Sequence, residues 1–154
     1  MGFGLPAAIG AALANPGSPV VCLTGDGSIL MNLQELATLA DLDLPVKICV
    51  LDNGGLGLVR QQQELFFEDR REACRFHRRP DLAAIARGFG IASVRVDDWR
   101  HDESWIGLLH SDGPALMAFE FDPEESVWPM VPPGAANKDA LGPEVLDGIR
   151  QMAG

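Results

Sequence analysis

The chain has 154 residues, the length of one ordinary domain, and carries 22 acidic against 12 basic residues, for a formal net charge of -10. A chain of that length can bury a core without disulfides or a structural metal. Its charge argues against nucleic acid and anionic membrane surfaces as partners, and no run reaches the roughly twenty apolar residues of a membrane span. Its three cysteines, an odd set, favour a reducing, cytoplasmic setting.

Apolar strands alternate with helices along the first 121 residues. The pattern predicts helices over 5–14, 28–40, 58–67, 81–90 and 102–110, and strands over 20–24, 46–52, 91–96 and 115–121. Each strand is too apolar to have one wet face, which predicts an α/β fold: a parallel β-sheet with helices on both faces. Residues 1–121 are predicted to form one domain. Residues 122–154, rich in Pro and Gly, are predicted to form an extension that packs on it and ends in a short helix.

The stretch "TGDGSIL", residues 24–30, joins a predicted strand to a predicted helix. Gly25 and Gly27 would let the backbone approach a ligand closely. Amides at the start of the Ser28 helix suit anionic oxygens, and Asp26 can ligate a hard cation. An acidic chain needs such local groups to bind phosphate. Gly-Asp-Gly triplets are also common in plain turns, so the triplet alone leaves that alternative open.

A second glycine-rich loop, "NGGLG", follows the next predicted strand. A right-handed crossover would return the chain to a neighbouring strand end, which brings this loop to the same edge of the sheet as the first. Asn53 offers a side-chain carbonyl and Gly55 a backbone carbonyl to a cation held by Asp26. Magnesium prefers oxygen ligands and usually keeps phosphate oxygens among them. The two loops together therefore predict a magnesium and diphosphate site.

The stretch "GDGSILMNLQELATLADLDLPVKICVLDN" resembles the signature of the thiamine-diphosphate-dependent enzymes, in which Gly-Asp-Gly is followed, one helix and one strand later, by Asn-Asn. Within that family the chain is similar to the C-terminal cofactor domain of the acetolactate synthase catalytic subunit. The similar stretches are "MGFGLPAAIGAA", the signature continued through "GGLGLVRQQQELFF", and "DPEESVWPMVPPGAA". They span nearly the whole chain.

The resemblance implies thiamine diphosphate and Mg²⁺ as cofactors. Magnesium would be held by Asp26, the Asn53 side chain and the Gly55 carbonyl, while the amides of Gly27 and Ser28 would meet the diphosphate. The other cofactor-binding residues that the resemblance implies are Gly2, Gly4, Gly25, Met31, Leu56 and Gly57, and it places Leu58 and Gln62 in the substrate pocket.

Three of these positions have structural alternatives. Met31 would support the bent conformation of the cofactor, but methionine is also a common core filler. Gly2 and Gly4 would lie where the chain passes the pyrimidine ring, or they form a flexible start to a helix.

The implied reaction is decarboxylation of a 2-oxoacid such as pyruvate, followed by addition to a second carbonyl compound. Two substitutions depart from the family pattern. Asp52 replaces the first Asn of the signature and adds a carboxylate near the metal. Gln62 replaces a pocket Trp, and the loss of an indole would make that pocket larger and more polar.

In the family, the glutamate that activates the cofactor comes from another domain in a neighbouring subunit, and no acid in this chain matches it. The resemblance therefore implies at most half an active site and no catalytic residue here. Three alternatives stay open: a fragment of such an enzyme, one subunit of a two-chain 2-oxoacid decarboxylase whose partner chain carries the glutamate, or a non-catalytic interaction module. A homodimer is expected, because surfaces buried in the family form dimers.

The basic segment, residues 68–79, is unusual in so acidic a chain. Its basic residues are Arg70, Arg71, Arg75, His77, Arg78 and Arg79. Such runs usually form a solvated face. The alternative is a loop that closes over an anionic substrate, which the family resemblance supports.

Overall fold

The computed structural model describes residues 1–146, which divide into two compact units. The first unit comprises Met1–Gly55 and Phe76–Pro123, and the second comprises Leu56–Arg75 and residues 124–146. The predicted extension, which starts at residue 122, begins close to the last of the junctions between the units, at Pro123. Its packing on the cofactor domain stays a prediction, and its end, residues 147–154, lies outside the described residues.

Helices and strands alternate along the chain. In order they are α1 (Gly4–Ala14), β1 (Val20–Gly25), α2 (Asp26–Ile29), α3 (Glu35–Asp41), β2 (Val46–Asp52), α4 (Gly57–Phe66), α5 (Leu82–Gly88), β3 (Ala92–Val96), α6 (Ser104–Leu109), β4 (Ala115–Glu120) and a 3₁₀ turn (Asn137–Asp139). Helix α4 and the 3₁₀ turn lie in the second unit, and the other elements lie in the first. None of the helices within residues 1–146 is long and apolar enough to cross a membrane.

The first unit is built on a sheet of four parallel strands in the order β1-β2-β4-β3. The register aligns Cys22, Ile48 and Leu116, so these side chains share one face. That face is buried in a single apolar core with residues of α1, α3 and α5, among them Leu5 and Leu36. The parallel α/β prediction is confirmed.

The opposite face of the sheet is covered unevenly. Over β4, Trp105 of α6 packs edge-to-face on Phe119, with ring centroids 5.5 Å apart. Over β1 and β2, the apolar side chains of Val21, Leu23 and Leu51 are 54%, 69% and 45% exposed. The prediction that every strand is buried on both faces is therefore wrong for β1, whose apolar composition did not reveal that one face lacks a cover.

The predicted single helix over 28–40 is also wrong at both its start and its middle. Helix α2 begins at Asp26 and ends at Ile29, and α3 begins at Glu35. Between them the backbone follows tighter turns, in which the amide of Asn32 bonds to Ile29 and that of Glu35 bonds to Asn32. The leucines at helical spacing do bury Leu36 and partly bury Leu30 and Leu33, so their pattern reports the buried side correctly. The other predicted elements are present with small shifts at their ends.

Lys47 fixes the amino end of β2 to the loop that follows α6. Its residue is 2% exposed, and its Nζ donates to the Ser111 and Gly113 carbonyl oxygens, both at 2.6 Å, and to Ser111 Oγ at 3.1 Å. Burial lowers the pKa of Lys47, while the negative charges of Asp112 and Asp43 act in the opposite direction. The group lies at the edge of the sheet opposite to the two glycine-rich loops.

Candidate functional site

The two glycine-rich loops meet at the carboxyl edge of the sheet. Strand β1 ends at Gly25, which pairs with Leu51 of β2, so the residues that follow both strands emerge side by side. Asp26 Oδ1 accepts from the Gly27 amide at 2.7 Å, and Asp26 Oδ2 accepts from the Gly55 amide at 2.9 Å. The contact that the sequence predicted between the loops is therefore present, and Asp26 is its centre.

The Asp26 carboxyl group is buried, with the residue 3% exposed. Burial is the largest cause that raises its pKa to about 6, followed by a hydrogen bond with the Asp52 carboxyl group, and the negative charge of Asp52 adds to the shift. The amides of Gly27 and Gly55 act in the opposite direction. A carboxyl group in this setting is stabilised in its charged form by any cation that reaches it.

Asn53 provides the test of whether a cation fits here. Its Oδ1 atom is buried and has no hydrogen-bond partner among the described residues. Buried acceptors are nearly always paired, and an amide oxygen is a ligand that magnesium accepts. The chemistry of the Asp26 carboxylate and the Asn53 amide oxygen therefore fits magnesium. Gly55 faces Asp26 with its amide, and the role of its carbonyl as a ligand stays a prediction.

The segment before α1 is tied to the first loop. The Gly2 amide donates to Ser28 Oγ at 3.0 Å, and Asn32 Nδ2 donates to the Gly2 carbonyl oxygen. Gly2 has φ +78, and a Cβ atom there would lie 2.7 Å from Asn32 Nδ2 and 3.2 Å from the Met31 Cβ. The sequence did not identify Asn32, because its partner is 30 residues away and no local pattern marks it.

At two of the predicted cofactor-binding glycines, the described residues leave room for a Cβ atom. A Cβ at Gly25 would meet only the Leu51 carbonyl oxygen at 3.9 Å, and one at Gly4 would meet nothing closer than Cys22 Sγ at 3.6 Å. These are ordinary contacts, so packing within the described residues does not demand glycine at either position. Close approach of a ligand to the backbone at these two glycines stays a prediction.

Met31 is 57% exposed, so the alternative that it fills the core is wrong. Its support of the cofactor stays a prediction. Helix α2 has four residues, too few for an appreciable helix dipole, so a diphosphate here would depend on individual amides such as those of Gly27 and Ser28.

The second unit holds the predicted residues Leu56, Gly57, Leu58 and Gln62, at the start of α4. A cavity of about 320 Å³ opens beside this helix, and its lining residues are Val59, Gln62, Gln63, Phe67, Arg70 and Glu72. Gln62 thus lines a concave site, whereas Leu58 is exposed. Whether these four residues complete the site of the first unit stays a prediction.

Helix α4 also binds the extension within the second unit. Gln61 Nε2 donates to the Val127 carbonyl oxygen at 2.9 Å, and Gln61 Oε1 accepts from the Val127 amide at 3.1 Å. The buried Arg60 pairs with Glu64 at 2.9 Å and donates to the carbonyl oxygen of Glu125 at 2.8 Å. The contacts with the extension were not predicted, since their partners are 65 or 66 residues apart in the sequence.

The basic segment 68–79 does not behave as one surface. In the second unit Arg71 pairs with Glu124 at 2.7 Å, and Arg75 pairs with the same carboxylate. In the first unit Arg79 pairs with Asp52 at 2.8 Å and with Glu120. Three of its arginines therefore form ion pairs within their own units, and closure over a substrate stays a prediction.

Residues 1–119 match the family model described as "Thiamine pyrophosphate enzyme, C-terminal TPP binding domain". The chain is 47% identical over 142 residues to the acetolactate synthase isozyme 2 large subunit of Escherichia coli (strain K12), which covers 92% of this chain and 26% of that protein. It is 47% identical over 143 residues to the isozyme 1 large subunit of the same organism, with 92% and 25% covered.

Among solved structures, the chain is similar to the Rhodococcus jostii RHA1 thiamine diphosphate-dependent 4-hydroxybenzoylformate decarboxylase. The TM-score is 0.71 at 31% sequence identity, over 80% of this chain and 24% of that one. The chain thus spans about a quarter of the length of each of these relatives.

Proposed function

The chain belongs to the thiamine pyrophosphate enzyme family and corresponds to the C-terminal TPP-binding domain of these enzymes. We propose that it binds thiamine diphosphate through a magnesium ion held by Asp26 and Asn53. The observation that carries this proposal is the meeting of the two loops at Asp26, where the Gly55 amide donates to Oδ2 at 2.9 Å. The unpartnered Oδ1 of Asn53 supports it, because this atom needs a partner that the described residues do not supply.

The protein groups have separate tasks in this proposal. Asp26 supplies the charge that attracts the cation, and Asn53 supplies a neutral oxygen ligand beside it. Gly27 and Ser28 would donate their amides to the diphosphate. Gly2, held by Ser28 and Asn32, would fix the chain where the pyrimidine ring passes. When bound, thiamine diphosphate supplies a thiazolium carbon that attacks 2-oxoacids and stabilises the carbanion left by loss of carbon dioxide.

We propose an acetolactate-synthase-like reaction for the complete enzyme: decarboxylation of a 2-oxoacid and ligation of the product to a second carbonyl compound. The support is the 47% identity to the two E. coli large subunits. Gln62, which lines a cavity in the second unit, is proposed to contact the substrate. The activating glutamate would come from a polypeptide region beyond these 154 residues, in a cytoplasmic homodimer or a two-chain enzyme.

Isothermal titration calorimetry with thiamine diphosphate tests the metal-bridged site. We expect the purified chain to bind thiamine diphosphate only when magnesium is present, and Asp26→Ala to reduce the affinity at least about a hundredfold, because a buried charged ligand is lost. Asp41→Ala is the matched control: this exposed carboxylate lies at the end of α3, at the other edge of the sheet, and its loss should change nothing. Equal binding by Asp26→Ala and Asp41→Ala would contradict the proposal.

A further inference from the structure

Arg79 joins the carboxyl ends of two strands beside the candidate metal site. Its Nε donates to Asp52 Oδ1 at 2.8 Å, and a terminal nitrogen of the same guanidinium donates to the Asp52 carbonyl oxygen. The other terminal nitrogen pairs with Glu120 Oε1. Asp52 and Glu120 are register partners on β2 and β4, so one planar group holds both strand ends.

Two carboxyl groups meet at this edge. Asp26 Oδ2 accepts from the Gly55 amide at 2.9 Å, Asp52 Oδ1 accepts from the adjacent Gly54 amide at 3.2 Å, and Asp52 is itself buried. Together with an amide oxygen such as that of Asn53, two carboxylates would form an oxygen-rich site of the kind that binds a divalent cation unaided. Arg79 prevents this, because it occupies one oxygen of Asp52 and neutralises its charge.

The other carboxylate described at this edge does not replace the Asp52 charge that Arg79 neutralises. Glu120, the third carboxylate at this edge, is paired with Arg79 and also with Arg95 at 2.7 Å. Within residues 1–146, no group of three or more His, Cys, Asp or Glu side chains has the arrangement to hold a metal ion. In the described contacts Asp52 and Glu120 are paired with arginine, and Asp26 has no arginine partner there.

The same pair fixes the loop that carries Asn53. The Gly54 amide donates to Asp52 Oδ1 at 3.2 Å, so this oxygen receives both Gly54 and Arg79. Gly54 has φ +74, and a Cβ atom there would lie 3.6 Å from Arg79 Nε. The guanidinium thus packs directly beneath the turn from Asp52 to Gly55.

We propose that Arg79 is a positioning residue that withholds Asp52 from the cation, so that a divalent cation binds this edge only together with the diphosphate. The inference rests on the proposed function, since it assumes that Asp26 and Asn53 face the cation. A single uncompensated carboxylate binds magnesium weakly, and the diphosphate oxygens then complete the set of ligands. Binding of the two would in this way be coupled.

Binding of Mn²⁺ alone, with no diphosphate present, tests this role. Electron paramagnetic resonance of free Mn²⁺ would be measured in titrations of the wild-type chain, Arg79→Gln, Asp52→Asn and the double variant. We expect Arg79→Gln to bind Mn²⁺ at least about tenfold more tightly than wild type, because a second carboxylate becomes available. The double variant should return to within about threefold of wild type. Arg78→Gln, an exposed neighbour, is the matched control and should leave the affinity unchanged.

In the comparison with Arg79→Gln, either of two results would overturn the proposal: no gain in Mn²⁺ affinity in Arg79→Gln, or the same gain in the double variant. If Arg79→Gln does not fold, the Mn²⁺ affinities of Asp52→Asn and the double variant still test the proposal. Neither of these variants has an unpaired carboxylate at position 52. Arg79 acts through Asp52, so these two should differ in Mn²⁺ affinity by less than about threefold, and a larger difference refutes it. Failure of thiamine diphosphate to bind wild type would count against the proposed function and leave this comparison intact.

Discussion

The Asp26 carboxyl group makes the stability of the metal-free protein depend on pH. Its pKa lies at about 6, above the ordinary 3.8, because burial and then Asp52 disfavour its charge. The native state therefore holds this proton more tightly than the unfolded chain does. The resulting stabilisation is complete below pH 3.8 and is lost as the pH rises through 6.

Asp26→Asn removes this dependence. In a chelating buffer, we expect the melting temperature of Asp26→Asn relative to wild type to rise by about 2–4 °C between pH 4 and pH 7.5, the shift that roughly 1 kcal/mol gives a chain of this size. Thermal unfolding followed by circular dichroism measures it. Asp41→Asn should show no such change with pH. An equal difference between Asp26→Asn and wild type at both pH values would show that the charge of Asp26 costs the fold nothing.

At the scale of residues, the sequence predicted the members of the site that lie in short motifs. Asp26 and Asn53 follow apolar strands directly, so the ends of parallel strands place them. Asn32 and Arg79 could not be predicted from the sequence, because their partners Gly2 and Asp52 are 30 and 27 residues away along the chain. Both pairings also depend on the directions of side chains. Arg79 also belongs to a run of basic residues, and that run alone does not indicate its contact with Asp52.

At the scale of elements, strands were predicted more accurately than the helix between them. Strand β2 has the predicted bounds, because an apolar run interrupted only by Lys47 ends in Asp52 and is followed by "NGG". The predicted helix over 28–40 failed, because turns with i to i+3 bonds keep leucines on the same side as a regular helix does. Hydrophobic spacing reports which side is buried, and does not report whether the helix is continuous.

Lys47 gives the sheet an element-scale test that is independent of the site. Lys47→Met would leave two carbonyl oxygens and a hydroxyl without their charged donor, a loss of about 2 kcal/mol. We expect the melting temperature to fall by about 4–8 °C.

Cofactor affinity of Lys47→Met below its melting temperature should equal that of wild type, since Lys47 and Asp52 stand at opposite ends of β2. The exposed Lys138→Met is the matched control for the loss of a positive charge, and it should melt like wild type. A melting temperature of Lys47→Met equal to that of Lys138→Met would mean that the loop after α6 does not need this donor.

At the scale of the whole molecule, the chain spans about a quarter of the length of its acetolactate synthase relatives. We expect the purified chain to bind thiamine diphosphate and magnesium and yet to consume no pyruvate above the rate of the Asp26→Ala variant, because the proposed function assigns the activating glutamate to another domain. A coupled or colorimetric assay of pyruvate measures this. Turnover by the wild-type chain that Asp26→Ala abolishes would show that these residues hold a complete active site.

The bare face of β1 and β2 has a practical consequence for all of these measurements. Val21, Leu23 and Leu51 expose apolar surface beside a strand whose outer edge has no pairing partner within the described residues. Surfaces of this kind are adhesive in water, and strand edges promote aggregation. The monomer fraction of purified samples should therefore fall as the protein concentration rises. Calorimetric titrations at low protein concentration, or in a more soluble Leu23→Lys variant, would separate the heat of ligand binding from the heat of aggregation.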